Sequence, residues 1–187
     1  MKIERLVTMN ANAQTEEWDR ESVMQRVLEH PFFFGMTLEQ LAVVAKSVEP
    51  GAAQVAAFAR NEIVLHEGEP ANRFYLIESG SMMLEAHEPA NGTFPILKLA
   101  AGETLGFSWL FPPFTWCFQA RALETSTAIV LNGAHLLLAA EENKAFGYEL
   151  MKKVGQLAIR RLQATRRQLI GQGLALQKAL PTVRGKP

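Results

Sequence analysis

The chain has 187 residues, 48% of them hydrophobic and 20% charged, and its 19 Lys+Arg cancel its 19 Asp+Glu. That balance supplies one packed domain with extensions and excludes a wholly disordered chain. One cysteine, Cys117, excludes an intrachain disulfide, a zinc ribbon and a Cys-ligated iron–sulfur cluster, and no apolar run nears the ~20 residues that span a bilayer.

The start, MKIERLVTMNANAQ, has Glu4 and Arg5 and no apolar h-region, so it does not read as a secretory signal, and a cytoplasmic location is expected. Residues 1–15 are polar and without period and read as frayed. Between Glu16 and Glu29, Trp18, Val23, Met24, Val27 and Leu28 recur at helical spacing, and Pro31 stops that helix. Phe32, Phe33 and Phe34 are expected to pack inward. Thr37-x-x-Gln40 has the form of a capping box opening a second helix, with Leu38, Leu41, Val44 and Ala45 on one face. Pro50-Gly51 ends it.

From about Ala53 to Leu138, short apolar runs alternate with Gly, Pro and Asn. Asn91-Gly92 predicts a hairpin, since both residues tolerate the positive φ of a type I′ turn. Short strands at this spacing argue for a sandwich or rolled sheet. A long helix returns from about Glu141 to Ile170, with Gly171 and Gly173 as its end signal. Met151, Gly155, Ala158, Leu162, Thr165 and Leu169 form a heptad-like seam beside a stripe of Leu150, Val154 and Leu157.

Charge divides the chain. Residues 1–150 carry 10 Lys+Arg and 19 Asp+Glu; residues 151–187 carry 9 Lys+Arg and no acid, so a net −9 meets a net +9. The division expected is a tail with helices over 1–52, a β-roll over 53–140, a long helix over 141–180 and a tail over 181–187.

The stretch LHEGEPANRFYLIESGSMML (Leu65–Leu84), followed by Gly102-Glu103-x-x-Gly106 and the helix RRLQAT (Arg160–Thr165), resembles the cyclic-nucleotide-binding domain family of the Crp/Fnr type. The resemblance covers roughly Phe58 to Ile170. It implies an α+β, mainly β fold: a jelly-roll-like β-roll flanked by N-terminal helices and a long C-terminal helix that joins a homodimer. The ligand it implies is a cyclic nucleotide, cyclic AMP or cyclic GMP, and Arg161 and Thr165 match positions that approach the base.

Two positions depart from the family pattern. The family has a ribose-binding glutamate after the second glycine, where this chain has Phe107. Its Arg-Ser or Arg-Thr pair, which holds the cyclic phosphate, falls on Trp116 and Cys117, and no Lys or Arg lies between Lys98 and Arg121. Hydrogen bonds to charged groups are worth about 1.5–3 kcal/mol each, so losing two weakens a nucleotide site by roughly 10² to 10⁴. Arg161 or Arg121 are the substitute cations.

The replacement, FSWLFPPFTWCF (Phe107–Phe118), holds six of the chain's sixteen aromatics. Spacing alone allows two strands around Pro112-Pro113; the family pattern makes the first part a short helix. The aromatics either line a pocket for a flat or apolar ligand or fill the roll's interior. Cys117, set among them, reads as a small buried hydrophobe rather than a nucleophile.

The expected function is a stand-alone, non-enzymatic regulatory sensor binding a small molecule through Gly106, Phe107, Ser108, Trp109, Leu110, Trp116, Cys117, Arg161 and Thr165. The alternatives are a ligand-free protein-interaction module with an unidentified partner and a cupin-type metal enzyme. The enzyme lacks support: four histidines and no His-x-His make a poor ligand set. Only 17 residues follow Ile170, too few for a helix-turn-helix, so no specific DNA binding is expected.

Overall fold

The short apolar runs in the middle of the chain form two antiparallel sheets. The computed structural model describes residues 15–16, 20–47, 53–88 and 90–179. Its strands are β1 (Thr15–Glu16), β2 (Ala53–Phe58), β3 (Ile63–Leu65), β4 (Arg73–Ser79), β5 (Ser81–Glu88), β6 (Gly92–Ala100), β7 (Thr104–Leu105), β8 (Gln119–Ala122) and β9 (Ser126–Asn132). One sheet has the order β1-β2-β9-β4-β7 and the other β3-β8-β5-β6. The helices are α1 (Arg20–Glu29), α2 (Leu38–Ser47), α3 (Gly133–Glu142) and α4 (Lys144–Ala179). This is the expected α+β roll flanked by helices.

Strand β4 shows why the sheets close on one another. Phe74, Tyr75, Leu76 and Ile77 are all buried, so both faces of the strand are covered. Phe74 meets the edges of Phe32 and Trp109 at 5.0 and 5.9 Å, and Tyr75, on the opposite face, meets Phe58 at 6.3 Å. The N-terminal helices thus back one sheet through Phe32 and Phe33, while Phe34 is exposed. Arg26 of α1 adds a two-pronged ion pair to Glu78 of β4. Pro95 sits where a proline does least harm, on edge strand β6 beside the register shift between Leu84 and Glu85.

Several local expectations are met or corrected. The capping box is present: Thr37 N–H donates to Gln40 Oε1 at 2.9 Å, and Gln40 N–H donates to Thr37 Oγ1 at 3.3 Å. Val44 is fully buried on the face it opens, but Leu38, in the first turn, is 85% exposed. Thr15, expected to be frayed, and Glu16, expected to open the first helix, form a short strand paired with Val55–Ala56 on the edge of β2, and the helix starts at Arg20; residues 1–14 lie outside the described residues. Trp18, Pro50-Gly51 and the segment after Leu180 lie outside the described residues. The β5–β6 hairpin forms, yet Asn91 is not at positive φ. Asn91 N–H closes on Glu88 O at 3.1 Å, and Gly92 alone takes the left-handed geometry, at φ 86°.

Helical structure returns at Gly133, ahead of Glu141. Asn132 caps α3 through the Ala134 and His135 N–H groups, and Asn143 caps α4 through Phe146 N–H at 2.9 Å. Two asparagine caps therefore make two helices where one was expected. Helix α4 then runs 36 residues, about 54 Å at the usual rise. Gly171 and Gly173 do not end it; the helix runs on to Ala179, and at Gly171, which is exposed, a helical glycine costs only about 1 kcal/mol. Phe146, Leu150, Val154 and Leu157 bury the helix against the body, and Lys153 Nζ donates to Phe34 O at 2.6 Å. Among the described residues no helix is long and apolar enough to cross a membrane.

Candidate functional site

The β3-β8-β5-β6 sheet and α4 line a half-open cavity of about 370 Å³. Leu65, Leu84, Ile96 and Leu97 form its sheet wall. Leu84 and Leu97 are register partners across β5 and β6, so one cross-strand pair supplies half of that wall. Ala158, Arg161, Leu162 and Thr165 supply the helix wall, at the i, i+3, i+4, i+7 spacing that shares one helical face. The floor comes from Leu105, Gly106, Phe107, Ser108, Trp116, Cys117 and Phe118.

The stretch replacing the family cassette is a 3₁₀ turn, Ser108–Leu110, followed by an irregular return. It does not make two strands. Three backbone bonds fix the return against the bend before β4: Gly68 N–H to Trp116 O, Trp116 N–H to Glu69 O, and Ala71 N–H to Phe114 O, at 2.9, 2.9 and 2.7 Å. The polar bend of the Leu65–Leu84 stretch is thus the backing plate of the aromatic segment. Gly106 is required twice over. It holds φ 77°, and a Cβ there would lie 2.8 Å from the Trp116 ring.

The structure brings together Gly106, Phe107, Ser108, Trp116, Cys117, Arg161 and Thr165. Trp109 and Leu110 do not reach the cavity. Trp109 turns into the core, packed on Phe74 and over Gly133, where a Cβ would lie 2.6 Å from its ring. Leu110 packs against the same core. The aromatic stretch therefore does two jobs: Trp109 fills, while Phe107, Trp116 and Phe118 line. Cys117 is exposed, not a buried hydrophobe, because it sits in the irregular return before β8. Its thiol lies 3.9 Å from both Ser108 Oγ and Thr115 O.

Arg161 is the one charged side chain among the described lining residues. Its Nη2 donates to the Thr104 carbonyl, and its guanidinium carbon lies 5.3 Å from the centroid of the Phe107 ring. That cation–π contact offsets part of the cost of burying the charge. Burial pushes the guanidinium down to about 10; the Glu103 carboxylate pulls it up and Arg160 adds to the fall, and the group stays charged at neutral pH. Arg161 Nε is buried with no hydrogen-bond partner, as is Thr104 Oγ1. Arg121, the other substitute cation, is engaged elsewhere: it pairs with Glu85 at 3.2 Å and donates to Asn61 O at 3.1 Å. Among the described residues no group of three His, Cys, Asp or Glu is placed to hold a metal.

Leu65, Leu84, Ile96, Leu97, Leu105, Phe118, Ala158 and Leu162 complete the cavity without having been singled out as site residues. The seam spacing of Ala158, Leu162 and Thr165 carried that signal, but it reads equally as a helix–helix contact.

The family model described as the cyclic nucleotide-binding domain matches residues 55–143. Among curated proteins nothing matches the chain. A cyclic nucleotide-binding domain from Methylobacillus flagellatus superposes with a TM-score of 0.71 at 18% identity, covering 89% of this chain and 93% of that one. A chain from Geobacter metallireducens named for cyclic nucleotide binding has a TM-score of 0.63 at 25% identity, over 74% and 96%. The regulatory subunit of a cAMP-independent protein kinase A from Trypanosoma cruzi, bound to guanosine, has a TM-score of 0.55 at 18% identity, over 65% and 42%.

Proposed function

Because residues 55–143 belong to the cyclic nucleotide-binding domain family, we propose that this chain is a non-catalytic regulatory sensor that binds a small molecule in the roll and signals through α4. The observation that carries this reading is the cavity of about 370 Å³ whose wall is half sheet and half α4. A ligand there touches the helix directly, and it shifts the helix to the extent that it binds one helix position better than another.

Cyclic AMP and cyclic GMP are poor candidates for that ligand. Phe107 and Trp116 align with the positions where the family pattern has the ribose and phosphate contacts, and among the described lining residues Arg161 is the only cation to replace them. The polar groups that remain are largely engaged: Thr165 Oγ1 donates to Arg161 O at 3.1 Å, and Ser108 faces the Cys117 thiol. A buried ribose and base would lose water contacts without recovering them. The guanosine-bound regulatory subunit, which shares the fold, supports a roll that takes ligands other than a cyclic nucleotide.

The chain acts as a homodimer through α4 in this reading. Met151, Leu162 and Leu169 of the seam are 47%, 70% and 63% exposed. At Gly155, between them, a Cβ would meet nothing within 4 Å, so another backbone has room to approach.

The test is isothermal titration of the purified chain with cyclic AMP and cyclic GMP to millimolar concentration, paired with a thermal-shift screen of small molecules. The expected result is millimolar or weaker nucleotide binding and stabilisation by cavity-sized apolar compounds. Micromolar nucleotide binding unaffected by Arg161→Met would overturn the account of the site.

A further inference from the structure

The cavity's chemistry is lopsided: hydrocarbon on nearly every side and one guanidinium. Arg161 is half-buried, and a cation withdrawn from water is stabilised by acceptors or a counter-charge in proportion to its burial. Arg161 has one carbonyl acceptor, from Thr104, and one aromatic face, from Phe107, and the Glu103 carboxylate acts on it electrostatically without bonding to it. Its Nε remains buried and unpartnered, and so does the neighbouring residue's hydroxyl, Thr104 Oγ1. The guanidinium therefore has room for one more acceptor, at Nε.

We propose that the roll binds a hydrophobic monocarboxylate, with its carboxylate on Arg161 and its apolar body against the leucine wall. This rests on reading the roll as a ligand site. Arginine pairs with carboxylate in charge-assisted, fork-shaped geometry, and a carboxylate oxygen supplies the acceptor that Nε lacks. A phosphate monoester carries nearly twice the charge that one guanidinium balances. Size sets the body: at about 30 Å³ per water-sized group, about 370 Å³ admits a ligand of about a dozen non-hydrogen atoms. The face opposite Arg161 offers Leu84, Ile96 and Leu97 and no polar side chain, so the rest of the ligand is apolar.

The test is titration calorimetry of the full chain with two matched pairs: 2-naphthoate against 2-naphthamide, and decanoate against decanamide. Each acid is expected to bind roughly 10- to 100-fold more tightly than its amide, the span of one charge-assisted hydrogen bond. Arg161→Met, which keeps the aliphatic stem, abolishes that preference and leaves amide affinity unchanged. Arg161→Lys, which keeps the charge without the fork, restores part of it. Ala158→Phe, which fills the helix wall, weakens acids and amides alike. Equal affinity of acid and amide for the native chain overturns the ligand class and leaves the roll as a ligand site. An acid preference that survives in Arg161→Met assigns the anion to another group and overturns the proposal. No binding of any of the four compounds to folded protein at millimolar concentration overturns the ligand-site reading, and the proposal with it.

Discussion

Arg161 on α4 lies over the ring of Phe107, the residue that opens the 3₁₀ turn Ser108–Leu110, with its guanidinium carbon 5.3 Å from the ring centroid. The residue at 107 thus sets how much of the Arg161 charge is offered to a ligand. Phe107→Glu would place a carboxylate beside the guanidinium as an internal counter-ion. The expected outcome is a fall of roughly 10- to 100-fold in 2-naphthoate affinity with little change for 2-naphthamide, read by calorimetry. Micromolar cyclic AMP binding is not expected from this change alone, because on the proposed reading Trp116 stands where the family pattern has its phosphate contact.

Gly133 is predicted to be intolerant of the smallest substitution. Its Cα abuts the Trp109 ring, and a Cβ would lie 2.6 Å from it. Overpacking of a tight core costs about 1–3 kcal/mol. Gly133→Ala should lower the urea midpoint accordingly. An unchanged midpoint would mean that Trp109 relaxes freely and does not lock the roll to α3.

His30 makes stability fall on mild acidification. Burial lowers its folded pKa below the ordinary 6.5, outweighing the opposing pull of the Ile77 and Glu103 carbonyls and the Glu78 carboxylate. The unfolded chain then takes up a proton near pH 6.5 that the folded chain refuses. The contribution is fully present above that pH and is lost as pH drops through 6.5 toward the folded value. His30→Asn, which keeps an acceptor for the Phe32 N–H, should flatten the stability difference between about pH 7.5 and about pH 5.5 in urea titrations. An unaltered difference would assign the acid sensitivity to other groups.

Leu169 tests the seam apart from the cavity, which it does not line. A large apolar residue central to an interface contributes about 2 kcal/mol. Leu169→Glu should therefore weaken the dimer roughly 30-fold or more by sedimentation, leaving ligand stoichiometry intact. A native chain that sediments as a monomer at all accessible concentrations would remove the dimer from the proposal.

The roll was legible in the sequence because short apolar runs and glycine punctuation are local signals that tertiary packing reinforces. The capping box at Thr37 was legible for the same reason. What escaped depended on contacts between distant segments. Trp109 and Trp116 look alike in sequence, yet the Gly133 and Phe74 surfaces draw one into the core, while the bend at Gly68–Ala71 pins the other to the cavity. The break at Asn143 was readable as a cap but lay inside an otherwise continuous helical pattern. Arg161 emerged from family likeness; that it is the lone lining cation follows only once Arg121 is seen bound to Glu85.

Ala158, Leu162 and Thr165 belong to two surfaces at once, the cavity wall and the seam of α4. In a dimeric sensor of the kind proposed, that double membership makes the two equilibria mutually dependent. A ligand that tightens self-association by some factor is itself bound more tightly by the dimer by the same factor. Occupancy then depends on protein concentration as well as on ligand concentration. Such a sensor responds to its own abundance, and its threshold moves with its level of expression.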